Sequence, residues 1–312
     1  MRSRRFIFFF LPVLLAVVCA AQEATPAAPA PGSAADLVHR GLKLSREGKQ
    51  DDALALYGQA LAKDANSYQA QLESGIALDL KGEYAKAQEY LTRAVEIAPA
   101  ESKEQALRSL AFSYAFQGDA FKAAEPEMQV FNARLAKGDA VGAGEACNEL
   151  ARIYLELGDP DHAYKWYKMG YDTVSRKTDL SEADKNLWLF RWESAQARIA
   201  ARRGNIDEAR QHFRAAKPAL DKANNPDQMR FYPYLSGYVA FYGGDYKAAI
   251  AELQKADQRD PFILVMLAQA YEKSGDEHQA KDYYHKVLEI NVHNPTNAFA
   301  RPLARKKLES GS

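Results

Sequence analysis

Cysteine is nearly absent: the 312-residue chain holds two, Cys19 and Cys147. Cys19 falls in an N-terminal segment that reads as removable, so no intramolecular disulfide is expected to brace the remaining chain. An excess of charge of either sign is also lacking. Lys and Arg number 41, as do Asp and Glu, a balance that gives no basis for bulk attraction to nucleic acid or to an anionic membrane. No GxxxxGK phosphate loop, HExxH metal helix or GxSxG nucleophile elbow occurs. The carboxylates are scattered or sit at helix starts such as GDPD and GNIDEA, where they complement the helix dipole. The expectation is a chain that is not an enzyme and that has neither a cofactor nor a metal site. What is present, 47% hydrophobic and 26% charged residues, is the composition of an ordered soluble protein.

The apolar run of residues 6–18 would span about 20 Å as a helix, short of the roughly 30 Å of a bilayer core. Pro12 weakens it further as a span. Arg2, Arg4 and Arg5 precede it, and Val18-Cys19-Ala20 or Cys19-Ala20-Ala21 follows as a small-residue cleavage site. Residues 1–21 therefore read as a cleaved secretory signal, with export to the periplasm or beyond. Its removal takes three arginines and no acid, leaving the exported chain a net charge of about −3. An uncleaved anchor and a lipid-bearing Cys19 are the alternatives; the latter wants Gly, Ala or Ser before the cysteine, where Val18 stands. Residues 22–33 are rich in Ala and Pro and read as a flexible linker.

A repeat then begins. GLKLSREGKQDDALALYGQAL from Gly41 returns as GIALDLKGEYAKAQEYLTRAV from Gly75, which puts Gly41 and Gly75, Gly48 and Gly82, Ala53 and Ala87, and Ala60 and Ala94 all 34 residues apart. Further copies start at Ala151, Ala197, Gly237 and Ala268, and a poorer one at Ala111. The pattern resembles the tetratricopeptide repeat family, whose unit is a 34-residue helical hairpin. That resemblance implies an all-α solenoid. Turn glycines at 48, 82, 118, 158, 204, 244 and 275 give about seven hairpins over residues 34–294. Gly75 and Ala87 are expected where two helices cross closely, Gly82 in a left-handed turn, and Ala94 against the next unit beside Leu91, Val95 and Ile76. Longer intervals in the middle imply extended helices, one capped by Ser181 and running to about Arg203. Residues 295–312 read as a capping helix and tail with a basic, soluble outer face.

GAGEAC at 142–147 reads as a loop entering a helix, and Cys147 as a small buried residue. His278, Asp282, His285 and Glu289 share one helical side, but Ala280, Tyr284, Val287 and Leu288 form the apolar stripe, so the histidines read as an exposed polar face. The resemblance implies that the first helix of each hairpin lines the concave groove. Its phase selects Phe231, Tyr234, Tyr238 and Phe241 on one such helix. On the helix before, it selects Arg191, Ser194, Arg198 and Arg202, and before that Glu145, Asn148 and Arg152. An aromatic shelf beside arginines suits a peptide with an apolar anchor and acidic or C-terminal carboxylate groups. The competing reading has the aromatics packing on the last hairpin and the arginines pairing with local Glu. The family's carboxylate-clamp pattern of Lys and Asn is not reproduced. The functional expectation is an exported, non-enzymatic scaffold for a protein or peptide partner, without nucleic acid. A membrane-anchored envelope assembly component, through a retained or lipidated N-terminus, and an enzyme acting on cell-wall sugars are the alternatives.

Overall fold

The computed structural model of the chain describes residues 29–310. The signal segment with Cys19, the first part of the linker and the last two residues lie outside the described residues. Among the described residues there are helices and no strand. Seven hairpins follow one another: α1 (Ala34–Arg46) with α2 (Gln50–Lys63), α3 (Tyr68–Lys81) with α4 (Tyr84–Ile97), α5 (Lys103–Gln117) with α6 (Ala120–Ala136), and α7 (Ala140–Glu156) with α8 (Pro160–Ser175). Then come α9 (Glu182–Arg202) with α10 (Ile206–Ala223), α12 (Phe231–Tyr242) with α13 (Tyr246–Leu253), and α14 (Pro261–Ser274) with α15 (Glu277–Glu289). A single turn, α11 (Pro226–Met229), precedes α12, and α16 (Pro295–Ser310) follows the last hairpin.

Each hairpin turns on the glycine read from the sequence, with φ between 79° and 98° at all seven. At Gly82 the glycine amide donates to Asp79 O at 2.9 Å and the Glu83 amide to Leu78 O at 2.9 Å, satisfying carbonyls at the end of α3. Small residues set the crossings. A Cβ on Gly75 would stand 2.5 Å from Leu91 Cγ and 3.0 Å from the Ala87 carbonyl, and one on Gly237 2.6 Å from Leu253 Cγ. Ala94 is buried with Leu91 against Leu110 of α5, flanked by Ile76 and Val95. The middle helices are long, and Ser181 caps the 21-residue α9 by accepting from the Asp184 amide at 3.1 Å.

Two readings are corrected. GAGEAC lies inside the first turns of α7, which starts at Ala140 under the Asp139 cap, and is not a loop. Its glycines serve packing: a Cβ on Gly144 would meet Val174 Cγ2 at 2.5 Å, while Gly170 of α8 faces the Gly144 carbonyl. Cys147 is buried beside them, and burial pushes its thiol up to about 12. The second correction concerns α16. Its basic residues do not all form an outer face, because Arg301 and Arg305 turn inward and donate to main-chain oxygens at the end of α3. The chain end thus runs from the last hairpin back to the second, across the side formed by the first helices. The His278 face is exposed as read, with Asp282 3.5 Å from His278 Nδ1.

Candidate functional site

The first helices α7, α9 and α12 of three successive hairpins enclose a cavity of about 430 Å³, with Pro295 and Thr296 of α16 closing one side. Six sequence-predicted residues meet there: Asn148 and Arg152 from α7, Arg191 and Arg198 from α9, Phe231 and Tyr234 from α12. Glu145 and Ser194 line it as well. The other three predicted residues do not reach it. Tyr238 is 0% exposed in the core, its hydroxyl 3.4 Å from Glu156 Oε1 and Oε2. Arg202 Nη1 donates to the Tyr242 hydroxyl at 2.6 Å, and Phe241 packs edge-on against Tyr242 and Tyr246.

Arg198 is 8% exposed. Its Nη2 donates to the Tyr167 hydroxyl at 2.9 Å and its Nε to the Ser194 carbonyl at 3.3 Å. Its Nη1 has no partner. Arg152 lies over the rings of Phe262 and Tyr234, 4.9 and 5.4 Å from their centroids. Its Nε approaches Glu156 Oε1 only to 3.5 Å and makes no hydrogen bond. Ser194 Oγ and the Tyr234 hydroxyl are also buried without a partner. Burial raises the Tyr234 phenol, which holds it as a neutral donor. Four donor groups on residues lining one cavity are therefore unsatisfied, where burying a single such group costs about 1–3 kcal/mol.

The surrounding acids are already engaged. Glu149 receives two hydrogen bonds from Arg108, at 2.8 and 2.7 Å, and Glu145 pairs with Arg191 at 3.4 Å. Glu156, with its side chain 1% exposed, stands between Arg152 and Arg202, 3.5 and 3.8 Å away. Asp260 accepts from the Phe262 amide at 2.9 Å as the cap of α14; burial raises its carboxyl and the nearby Arg152 opposes this. Sequence reasoning missed Glu156, although its place four residues after Arg152 on one helix was a readable signal. It also missed Tyr167 and the α16 wall, which come from outside the first helices. The two competing readings of the aromatics meet in Tyr234, which lines the cavity and also packs on Phe262 of the last hairpin at 6.3 Å.

Tetratricopeptide repeat family models match residues 40–102, 144–168 and 263–291. The chain carries tetratricopeptide repeats. A TPR repeat-containing protein of Methanocaldococcus jannaschii is 24% identical over 267 residues, covering 81% of this chain and 42% of the relative. This chain thus spans about two fifths of that protein's length. A tetratricopeptide repeat protein from Parabacteroides merdae has the same fold, with a TM-score of 0.51 at 15% identity over 88% of this chain and 97% of that one. Aspartyl phosphate phosphatase F from Bacillus subtilis does so with a TM-score of 0.54 at 14% identity, over 85% and 71%. The matched tetratricopeptide unit at 144–168 carries Asn148 and Arg152, whereas Arg191 and Arg198 on the lengthened α9, and Phe231 and Tyr234 on α12, lie between matched units.

Proposed function

We propose that this protein is a non-catalytic scaffold that binds a protein or peptide partner on the side lined by the first helices, and that an acidic group of the partner is held at Arg152 and Arg198. The tetratricopeptide fold supports the scaffold reading. The observation that carries the specificity is the set of four unsatisfied donors, Arg152 Nε, Arg198 Nη1, Ser194 Oγ and Tyr234 OH. A carboxylate offers about four lone-pair sites and accepts from guanidinium with charge-assisted strength. A side-chain carboxylate and a C-terminal carboxylate both supply this chemistry, and Phe231 and Phe190 offer apolar surface for a neighbouring side chain.

Calorimetric titration with matched tetrapeptides tests the reading. A peptide carrying Glu next to Phe is expected to bind, and its Gln counterpart with an amidated end is not. Equal binding by both would overturn the anionic specificity.

Export belongs to the same proposal. The basic start, the apolar run and the small-residue site support delivery across a membrane with trimming near Ala20 or Ala21. A reporter fused behind residues 1–36 is expected outside the cytoplasm, and Cys19→Ala to leave its location unchanged. Loss of membrane association on that substitution would instead establish the lipid-anchored alternative.

A further inference from the structure

Large apolar side chains open to solvent are few among the described residues, and they are not scattered. Of the six, Phe121, Met128 and Leu135 lie on α6, and Met169 lies on α8. Phe121 is 80% exposed, Met128 44% and Leu135 41%. Phe121 and Leu135 stand seven residues either side of Met128, so the three share one stripe. Ala124 and Phe131, both half-buried, fall between them and complete a seam with apolar residues alternately three and four apart. The opposite face of α6 is buried in the chain through Ala123, Pro126 and Val130. Phe121, Met128 and Leu135 are therefore surplus to the fold.

We infer that α6 is a self-pairing face, on which the α6 of a second copy of this chain packs antiparallel about a two-fold axis at Met128. A seam of this spacing fits a second helix of the same spacing, whose side chains enter the holes between its own. Nothing outside the described residues matches it: residues 6–18 are apolar without a period of seven, and residues 311–312 are too short. Reversal about Met128 sets Phe121 on the partner's Leu135, and Glu125 beside the partner's Asn132, whose amide is a donor for the carboxylate. The flanking second helices repeat this symmetry in charge. Reversed about its middle, α4 sets Lys86 against the partner's Glu96 and Glu89 against the partner's Arg93. In the same way α8 sets Lys165 against the partner's Asp172. A parallel pairing would instead turn α4 onto α8 and bring Glu96 to Asp172, each fourteen residues after its turn glycine. It would also align the helix dipoles. Charges beside the seam orient the pair more than they hold it. A single helix pair lies at the small end of stable interfaces, so the dimer is expected to be weak and to exchange. The cavity is lined by first helices, so pairing through a second helix leaves both cavities open.

Sedimentation equilibrium and cysteine cross-linking test this in the chain without residues 1–21. That chain keeps every described residue, and its one cysteine, Cys147, is buried. A concentration-dependent dimer is expected. Phe121→Asp is expected to weaken it at least tenfold and to leave the melting temperature unchanged, because the side chain is largely outside the fold. Under mild oxidation Met128→Cys is expected to link to itself, since that residue meets its own copy at the axis. Phe121→Cys and Leu135→Cys are expected to link when mixed and not singly. Each lies about 21 Å along the helix from its own counterpart, beyond the roughly 7 Å between Cα atoms that a disulfide spans. A monomer at every concentration, a dimer untouched by Phe121→Asp, no link at Met128→Cys, or self-linking by Phe121→Cys would each overturn the inference.

Discussion

Arg301 and Arg305 donate to the main-chain oxygens of Leu80, Lys81, Leu288 and Ile290, whereas Arg152 Nε and Arg198 Nη1 donate to nothing. Both sites bury guanidinium, and both lie on the side lined by first helices. The first is filled by the chain itself with fixed acceptors; the second surrounds about 430 Å³ of open cavity. A buried cation kept for structure is saturated, because each unmet donor costs stability. One left unsaturated beside a cavity is what the anionic group of the proposed partner would satisfy. Glu127 makes the contrast sharper. Both its oxygens are buried without a donor, but it does not line the cavity of Arg152 and Arg198, and burial, then the charge of Glu149, lifts its carboxyl well above the usual range. Neutralisation resolves its case, which is not open to arginine.

The largest effect is expected from Glu156, the buried carboxylate between Arg152 and Arg202. Glu156→Gln leaves Arg152 and Arg202 without their nearest anion, at a cost of about 3 kcal/mol or more. For a chain of this size that reads as a fall in melting temperature of roughly 6–12 °C. An unchanged melting temperature would mean that the arginines are compensated elsewhere. The next prediction breaks or upholds the comparison itself. Arg301→Met removes three hydrogen bonds to carbonyls and is expected to destabilise by about 2 kcal/mol. Arg198→Met, at similar burial, removes two weaker-placed bonds and an unmet donor and is expected to lower the melting temperature of the free protein by clearly less. Equal losses at the two positions would remove the distinction between a saturated and an unsaturated arginine.

The smallest expected effect is at Glu127, and it depends on pH. A carboxyl raised in the folded state contributes its full stability below its unfolded value, about 4.5, and loses it as pH rises through the folded value. Glu127→Met removes that dependence. The variant is expected to match wild type near pH 4 and to be the more stable of the two at pH 8, by denaturant titration at both. A variant that is less stable at pH 8 would show that Glu127 is ionised and paired.

The hairpins were legible because each requires a left-handed glycine and small crossing residues, and both recur in the sequence at fixed offsets. The cavity was legible in part. The phase of first helices selected Asn148, Arg152, Arg191, Arg198, Phe231 and Tyr234, since side chains at i, i+3, i+4 and i+7 share a face. It failed with distance along the helix. Arg202 lies eleven residues after Arg191, about 16 Å further along the axis, and so falls past the end of the cavity onto Tyr242. Phe241, ten residues after Phe231, has in addition rotated by roughly 80° off the stripe. Tyr238 keeps the phase but is covered by Glu156 and Tyr242. The docking of α16 was not legible, because it depends on how far seven hairpins curve before the chain end meets α3. That curvature is the sum of many small crossings and no local signal records it.

The most direct measurement is a thermodynamic cycle between Arg198 and the peptide's charge. Wild type and Arg198→Met are each titrated with the Glu tetrapeptide and with its amidated Gln counterpart. The account predicts that the substitution weakens the acidic peptide at least tenfold and leaves the neutral one nearly unchanged, so that the two losses do not add. Equal weakening of both peptides would show that Arg198 shapes the cavity without reading charge, and would contradict the central claim.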